Sequence, residues 1–527
     1  MPDENLSSLE EMLHLGKCVL VMGPEAHLLD RFTEDKLPNH WDVLVEQVPE
    51  LLRRKNFASD GFFFRNGSDA EWAIEKTRIH QAFSSYYVHL PIPKVYEYFA
   101  SLPFRMYISL SPDDLLANAM DRFGYAYDYA YYKNTKGTSA NRLYVQREVN
   151  GGKRIFKNNT ELEGLPDEQR PLIFNFAGRH TDSGSTLYTY DSLFEFMYDV
   201  FPIKNIPGTV RNAIAEADAY VFVGFGYQYW YLKIFFFLLK NILIDTGKEL
   251  QSNAVFNFSD ERNPVIQVYQ QVFKMNFLRK PSSELFGNLF SNATRGSFTR
   301  KPNFQKNPYR ILLISSLPAG KMPIRPDRDF STIKKTLEVP IALKSIVYDD
   351  ALNSSVADVL PALNQYNPNL LILSVHGSKN GLFFESADSD EAFELKGSEL
   401  LDKIKAHRNA PGSQLQMVIL GACNSAGHAE LLSETVDHTV GMAAPIHDHS
   451  VRLFLEGFLR NYALPERNSE EPSFHVVSSI AAGIDRLKSD RQYESDHGHI
   501  SHFHQDRKQV RRLEDTNRAS GPNIGAG

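Results

Sequence analysis

His376 and Cys423 are the two residues of this chain whose types and settings suit covalent chemistry. His376 follows the apolar run LLILSV (370–375) and opens a Gly/Ser/Asn turn, and Cys423 follows MVIL (417–420) and opens another. An imidazole titrates near neutrality and can take a thiol proton, and the resulting thiolate is the nucleophile. Either residue alone is ordinary, because a strand-end cysteine is usually an inert core residue and a strand-end histidine a hydrogen-bonded turn residue. The pairing carries the weight, together with Gly377 directly after the histidine and Ala422 and Ser425 around the cysteine.

Two apolar runs of strand length must present these side chains. An α/β sheet places its chemistry beyond the carboxyl ends of its strands. If the runs are parallel neighbours, the imidazole and the thiol face one crevice. The 47 residues from 376 to 423 are enough for the crossover helix that a parallel pair requires.

The pattern Ser374-Val375-His376-Gly377 followed by Gly421-Ala422-Cys423-Asn424-Ser425 resembles the caspase-like CHAT protease family, as does Gly441, Met442, Pro445, Ile446 and Asp448 further on. The resemblance implies a cysteine endopeptidase with Cys423 as nucleophile and His376 as general base and then acid. The amides of Gly377 and Cys423 would form the oxyanion hole, glycine keeping a Cβ out of that space. No third catalytic residue, metal or cofactor is implied for proteolysis. The partner is a protein substrate, laid extended along the sheet edge. Asp388, Asp390, Glu391 and Asp448 are candidates for selecting a basic residue, and a solvated acidic loop explains the first three as simply.

At 527 residues the chain is expected to hold two or three domains, and 42% hydrophobic with 23% charged residues is ordinary for a soluble globular protein. A net charge of −7 gives no general affinity for nucleic acid or anionic membrane. Two cysteines, Cys18 and Cys423, make no disulfide framework, and the acidic start lacks the order of a signal peptide, so a cytoplasmic setting is expected. The aromatic stretch 219–244 is interrupted by Gln228, Lys233 and Lys240 and reads as strand, turn and helix rather than a membrane span.

The first ~300 residues alternate strand-like and helical runs, which implies a parallel, nucleotide-binding type of sheet. Their order, over roughly Leu15 to Leu278, resembles the sirtuin-like domains of prokaryotic defence proteins. The expected fold class is therefore α/β in two domains, a Rossmann-like sirtuin-type sheet followed by a caspase-hemoglobinase-type, parallel-rich sheet flanked by helices. The expected boundaries are 1–291 for the sirtuin-like domain, 292–308 for a polar linker, 309–488 for the protease domain and 489–527 for a mobile polar tail.

Within the sirtuin-like pattern the residues to weigh are Gly23, Glu25, Ser111, Asp113, Arg179, Gly224 and Gly226. The departures are large. The family's Gly-Ala-Gly turn reads Gly23-Pro24-Glu25, putting a negative charge where a pyrophosphate would lie. The family's Asn aligns with Ser111, and its general-base His aligns with Ala177, which cannot accept a proton. Arg179, His180 and Arg105 are candidate anion partners, and solvated surface charge is the plainer reading of each.

The resemblance thus implies a sirtuin-like half that has lost NAD hydrolysis and senses a ligand, such as an NAD-derived nucleotide made by a signal-producing partner enzyme. It holds a protease effector in check in antiviral defence, with homo-oligomer assembly a further route to activation. Two alternatives stand beside it: an NAD-hydrolysing effector in which Asp113 still works, and a non-enzymatic assembly protein. The four histidines His497, His499, His502 and His504 read as part of a solvated tail rather than a metal site.

Overall fold

The computed structural model describes residues 2–30, 60–88, 90–133, 143–149, 152–157, 166–200, 206–227, 229–245, 253–256, 264–278, 280–301, 308–321, 325–352, 354–386, 391–462, 472–490, 492–504 and 507–511. The chain divides into two compact units, Met1–Asn303 and Phe304–Gly527.

The first unit is built on a nine-stranded sheet. Its strands are β1 (Cys18–Met22), β2 (Met106–Ser109), β3 (Asp128–Tyr132), β4 (Leu143–Val149), β5 (Gly152–Lys157), β6 (Leu172–Asn175), β7 (Ala219–Val223), β8 (Asn253–Phe256) and β9 (Met275–Leu278). Their spatial order is β5-β4-β3-β6-β2-β1-β7-β8-β9. The pairings from β3 to β9 are parallel, and β4 and β5 add antiparallel at one edge. Every residue of β1, β2, β6 and β7 is buried, which is why these strands are continuous apolar runs rather than alternating ones. From β1 the chain passes to β2 on one side and later to β7 on the other, so the ends of β1 form a switch point.

The stretch 219–244 resolves into β7 and the helix Trp230–Asp245. That helix packs Leu232, Phe235, Phe236 and Leu239 into the core with Val21, Phe174 and Phe222. No helix among the described residues is long and apolar enough to cross a membrane.

The expected linker 292–308 is corrected in its first part. The helix Ser282–Arg295 runs through it, and Arg300 is fully buried. The Arg300 guanidinium donates to the carbonyls of Glu168 (2.7 Å), Phe104 (2.9 Å) and Ala100. A buried guanidinium needs such partners, and once they are supplied it ties the segment to the unit. Residues 302–307 lie outside the described residues.

The second unit carries a seven-stranded sheet in the order β11-β10-β12-β16-β17-β18-β19 and a separate three-stranded sheet β13-β14-β15. The strands are β10 (Tyr309–Ser315), β11 (Ile346–Ala351), β12 (Leu370–Ser374), β13 (His376–Gly377), β14 (Gly381–Glu385), β15 (Ala392–Lys396), β16 (Met417–Leu420), β17 (His438–Met442), β18 (Ile500–His504) and β19 (Arg507–Arg511). The pairings from β11 to β17 are parallel, and β18 and β19 continue the sheet antiparallel. Apolar layers cover both faces of the parallel strands, one centred on Ile372, Ile419 and Phe454 and the other on Leu371, Val418 and Leu400.

Two expectations are corrected here. The crossover helix expected between His376 and Cys423 does not fill the segment 391–407. Instead Ala392–Lys396 is a strand of the small antiparallel sheet, and the helix runs Gly397–Arg408. The expected mobile tail is also part of the fold over much of its length. β18 pairs with β17 from His438↔His504 to Met442↔Ile500, because Ile500 and Phe503 bring buried apolar side chains to an otherwise polar segment. Residues 512–527 lie outside the described residues.

Candidate active site

β12 and β16 are parallel neighbours, with Leu373 opposite Leu420. His376 and Cys423 therefore each lie three residues beyond the same rung, at the carboxyl ends of adjacent strands. Both are half-buried, and both line one cavity of about 380 Å³ including its open mouth. The other lining residues are Asp329, Ser374, Val375, Gly421, Ile446, Asp448 and Val451.

The histidine turn is held by the small antiparallel sheet, in which His376 pairs with Phe383 and Gly377 with Leu382. Gly377 fits against the cysteine turn, where a Cβ would stand 2.3 Å from the Cys423 carbonyl oxygen. Such a contact admits glycine alone. On the other side, Asn424 takes a left-handed conformation (φ 54°), which turns the chain sharply after the cysteine. Ser425 is buried, donates to the Leu420 carbonyl (3.2 Å) and accepts from the Met442 amide (3.0 Å), tying the cysteine turn to β17.

The thiol itself meets the loop that follows β17. Cys423 Sγ lies 3.6 Å from the Ile446 carbonyl, to which it donates, and 3.5 Å from the Ile446 amide, which donates to it. That loop is in turn fixed by Asp496. Its carboxylate accepts from Ser450 Oγ (2.6 Å), from His447 Nδ1 (2.9 Å) and from the His447 amide (3.3 Å). Burial pushes the Asp496 carboxyl up, but the hydrogen bonds from Ser450 and His447 outweigh it and hold the group below the usual carboxylate range.

At the far side of the cavity Asp329 is buried, accepting from Ser374 Oγ (2.5 Å) and Arg452 Nη1 (3.4 Å). Burial raises its carboxyl, with Ser374 and Arg452 opposing. Sequence reasoning missed Asp329 and Asp496. Each is one acidic residue in a polar stretch, and nothing local marks it as reaching the cysteine. Of the acidic residues weighed for selecting a basic side chain, Asp448 lines the cavity, while Asp388 and Asp390 lie outside the described residues.

The residues singled out in the first unit also come together at the carboxyl ends of strands, but they engage one another. A Cβ on Gly23 would stand 2.0 Å from the Gly224 carbonyl oxygen, and Gly224 has φ 67°. Glu25 is buried, and its carboxylate accepts the Gly226 amide at 3.2 Å. The space in which a pyrophosphate would meet main-chain N–H groups thus holds a carboxylate of the chain itself. Ser111 donates to Asp113, whose other oxygen accepts the Leu115 amide (3.0 Å). Burial pushes the Asp113 carboxyl up to about 6 despite these bonds. Arg179 shares its Nε–H between the two Asp114 carboxylate oxygens (2.9 Å to each) and donates from Nη1 to Gln146, and Arg105 pairs with Glu216 at 3.0 Å. His180 lies 3.4 Å from Asp114. These residues do not fit a pyrophosphate, whose charge would meet Glu25 and find the nearby guanidinium committed to Asp114.

No protein-family model matches the chain. Over 163 residues it is 24% identical to a Roc-COR-CHAT protease from an unidentified prokaryote, across 29% of this chain and 14% of that protein. Over 135 residues it is 29% identical to a probable protease of Gillisia limnaea, across 25% of this chain and 23% of that protein. The chain thus spans less than a quarter of the length of either relative. Among solved structures it is similar to the Arg-specific cysteine proteinase gingipain R, at 10% identity and a TM-score of 0.27 over 65% of this chain and 72% of that one. That superposition is too loose to bear on the fold. These two relatives in sequence are thus named as a CHAT protease and a probable protease.

Proposed function

We propose that the second unit is a caspase-like cysteine endopeptidase with Cys423 as nucleophile and His376 as its base. The observation that supports this most is that the two residues stand at equal offsets beyond paired parallel strands and line one cavity. His376 takes the Cys423 proton, and the thiolate attacks the scissile carbonyl carbon, forming the C–S bond as the carbonyl π electrons move to oxygen. The amides of Gly377 and Cys423 stabilise that oxyanion. Collapse breaks the C–N bond as His376 returns the proton to the leaving amine. Water, deprotonated by His376, then cleaves the thioester and frees the thiol.

The resting thiol is clasped by the Ile446 backbone, so productive ionisation gives up the S–H···O bond to the Ile446 carbonyl. That supports a latent enzyme switched on by a signal. In the fuller reading the first unit is a sirtuin-like, non-hydrolysing sensor, and the whole chain is a cytoplasmic effector of prokaryotic anti-phage defence, assembling as a homo-oligomer or responding to a partner's product. The test compares cellular NAD and phage protection in wild type, Cys423→Ala and Asp113→Ala. Protection lost with Cys423→Ala alone, at constant NAD, is expected. Protection lost with Asp113→Ala alone, with NAD falling in wild type, overturns the assignment.

A further inference from the structure

The first unit contains a second cavity, of about 940 Å³ including its open mouth. Pro24 lies just beyond β1, Leu110 and Pro112 beyond β2, and Phe176 and Ala177 beyond β6, and all five line it. It therefore sits at the carboxyl ends of the central parallel strands, where open α/β sheets bind their ligands. Its walls are of a different kind from those of a nucleotide site. Among the described residues the lining holds no Lys, Arg, His, Asp or Glu, and it includes Phe83, Leu193, Phe196, Tyr231 and Phe235.

We infer that this cavity binds an uncharged, mostly apolar small molecule bearing one hydrogen-bonding group, and not a pyrophosphate-containing nucleotide. Three observations carry the inference. An anion in this enclosure would lose its water and gain no cation, an exchange that strongly disfavours binding. The glycine-rich turn that would cradle a phosphate is closed on itself, with the Glu25 carboxylate already accepting the Gly226 amide. The third is a buried hydroxyl in the lining. Tyr188 lines the cavity and is 3% exposed, and its hydroxyl, which the Thr186 side chain approaches, makes no hydrogen bond of good geometry. The Thr186 hydroxyl also lies 3.4 Å from His80 Nδ1. A buried hydroxyl left in this way is costly, and one polar atom on an otherwise apolar ligand would satisfy it.

The inference specifies the ligand class for the sensing role proposed above, but it concerns binding alone and stands whether or not Cys423 hydrolyses peptides. The test titrates the full chain with N-phenyl-1-naphthylamine, a neutral fluorophore that brightens in apolar surroundings and carries one N–H. Saturable 1:1 binding is expected, weakened at least tenfold by Leu193→Trp, which fills the cavity, and by Ala177→Leu, which narrows it from another wall. Circular dichroism confirms that each variant is folded, and either folded variant suffices. ADP-ribose and NAD, added in excess, should neither displace the dye nor raise the melting temperature. Absence of saturable dye binding, equal affinity in a folded filled variant, or displacement by ADP-ribose overturns the inference. Cys423→Ala should bind the dye as wild type does, which separates this result from any failure of the protease reading.

Discussion

Gly377 and Cys423 meet backbone to backbone, and a Cβ on Gly377 would stand 2.3 Å from the Cys423 carbonyl oxygen and 3.0 Å from the Ala422 Cβ. The turns that carry His376 and Cys423 are thus set in contact, and no side chain fits between them. Gly377→Ala is expected to part the turns and lower peptidase activity by roughly 100-fold, the cost of about 1 Å of misplacement at a reacting centre. Gly427 is the control, because a Cβ there meets nothing within 4 Å. Gly427→Ala should keep full activity and raise stability by about 0.5–1 kcal/mol, as expected for a helical glycine. Substrate turnover and thermal melting on the same preparations check both outcomes.

The two thiols should differ sharply in reactivity. Burial pushes the Cys18 thiol far up, with Asp218 adding to the effect, and Cys18 is 0% exposed, whereas Cys423 is half-buried at the cavity. Iodoacetamide should modify Cys423 first in the folded chain, and Cys18 only on unfolding. Peptide mass mapping over time decides it, and equal rates under native conditions would contradict the difference.

Asp113 gives a pH dependence of known sign. Its folded carboxyl is raised to about 6 from an ordinary 3.8, with burial the main cause. The folded state therefore binds the proton more tightly than the unfolded state, and stability falls as pH rises from about 4 to about 6. Asp113→Asn keeps an acceptor for the Leu115 amide and removes the titration. The variant should be more stable than wild type at pH 7 by up to about 3 kcal/mol, at roughly 1.4 kcal/mol per pKa unit, and its melting temperature should vary less between pH 4 and 6.

Asp496 has the opposite sign. Hydrogen bonds from Ser450 and His447 outweigh burial and lower its carboxyl, so its contribution is present above the ordinary carboxylate range and is lost as pH falls below it. Asp496→Asn should weaken the loop that clasps Cys423, costing roughly 1–3 kcal/mol near neutral pH, the range for hydrogen bonds to a charged group. The difference in stability from wild type should shrink below about pH 4. Thermal melting from pH 3 to 7 measures this.

Much of the frame was legible because buried parallel strands must be continuous apolar runs. Cys18–Met22, Leu172–Asn175, Ala219–Val223, Leu370–Ser374 and Met417–Leu420 all announce themselves in this way. What stayed hidden depends on partners distant in sequence. Ala392–Lys396 mixes apolar and charged residues and becomes a strand only because Gly381–Glu385 lies beside it. Ile500–His504 looks like a polar tail until His438–Met442 supplies a ladder. Arg300 sits in a basic, proline-bearing stretch, and only the carbonyls of Phe104 and Glu168 make it a core residue. At the candidate site the histidine and cysteine were readable from their turns. The Asp496 brace, 73 residues beyond Cys423, was not.

The most direct test of the peptidase assignment is a count of new protein N-termini in cells expressing wild type, Cys423→Ala or His376→Ala, with and without phage challenge. A defined set of new termini is expected in challenged wild-type cells and absent from both variants, with all three proteins equally abundant and folded. The same termini appearing with Cys423→Ala, or no termini unique to wild type in challenged cells, would overturn the peptidase assignment.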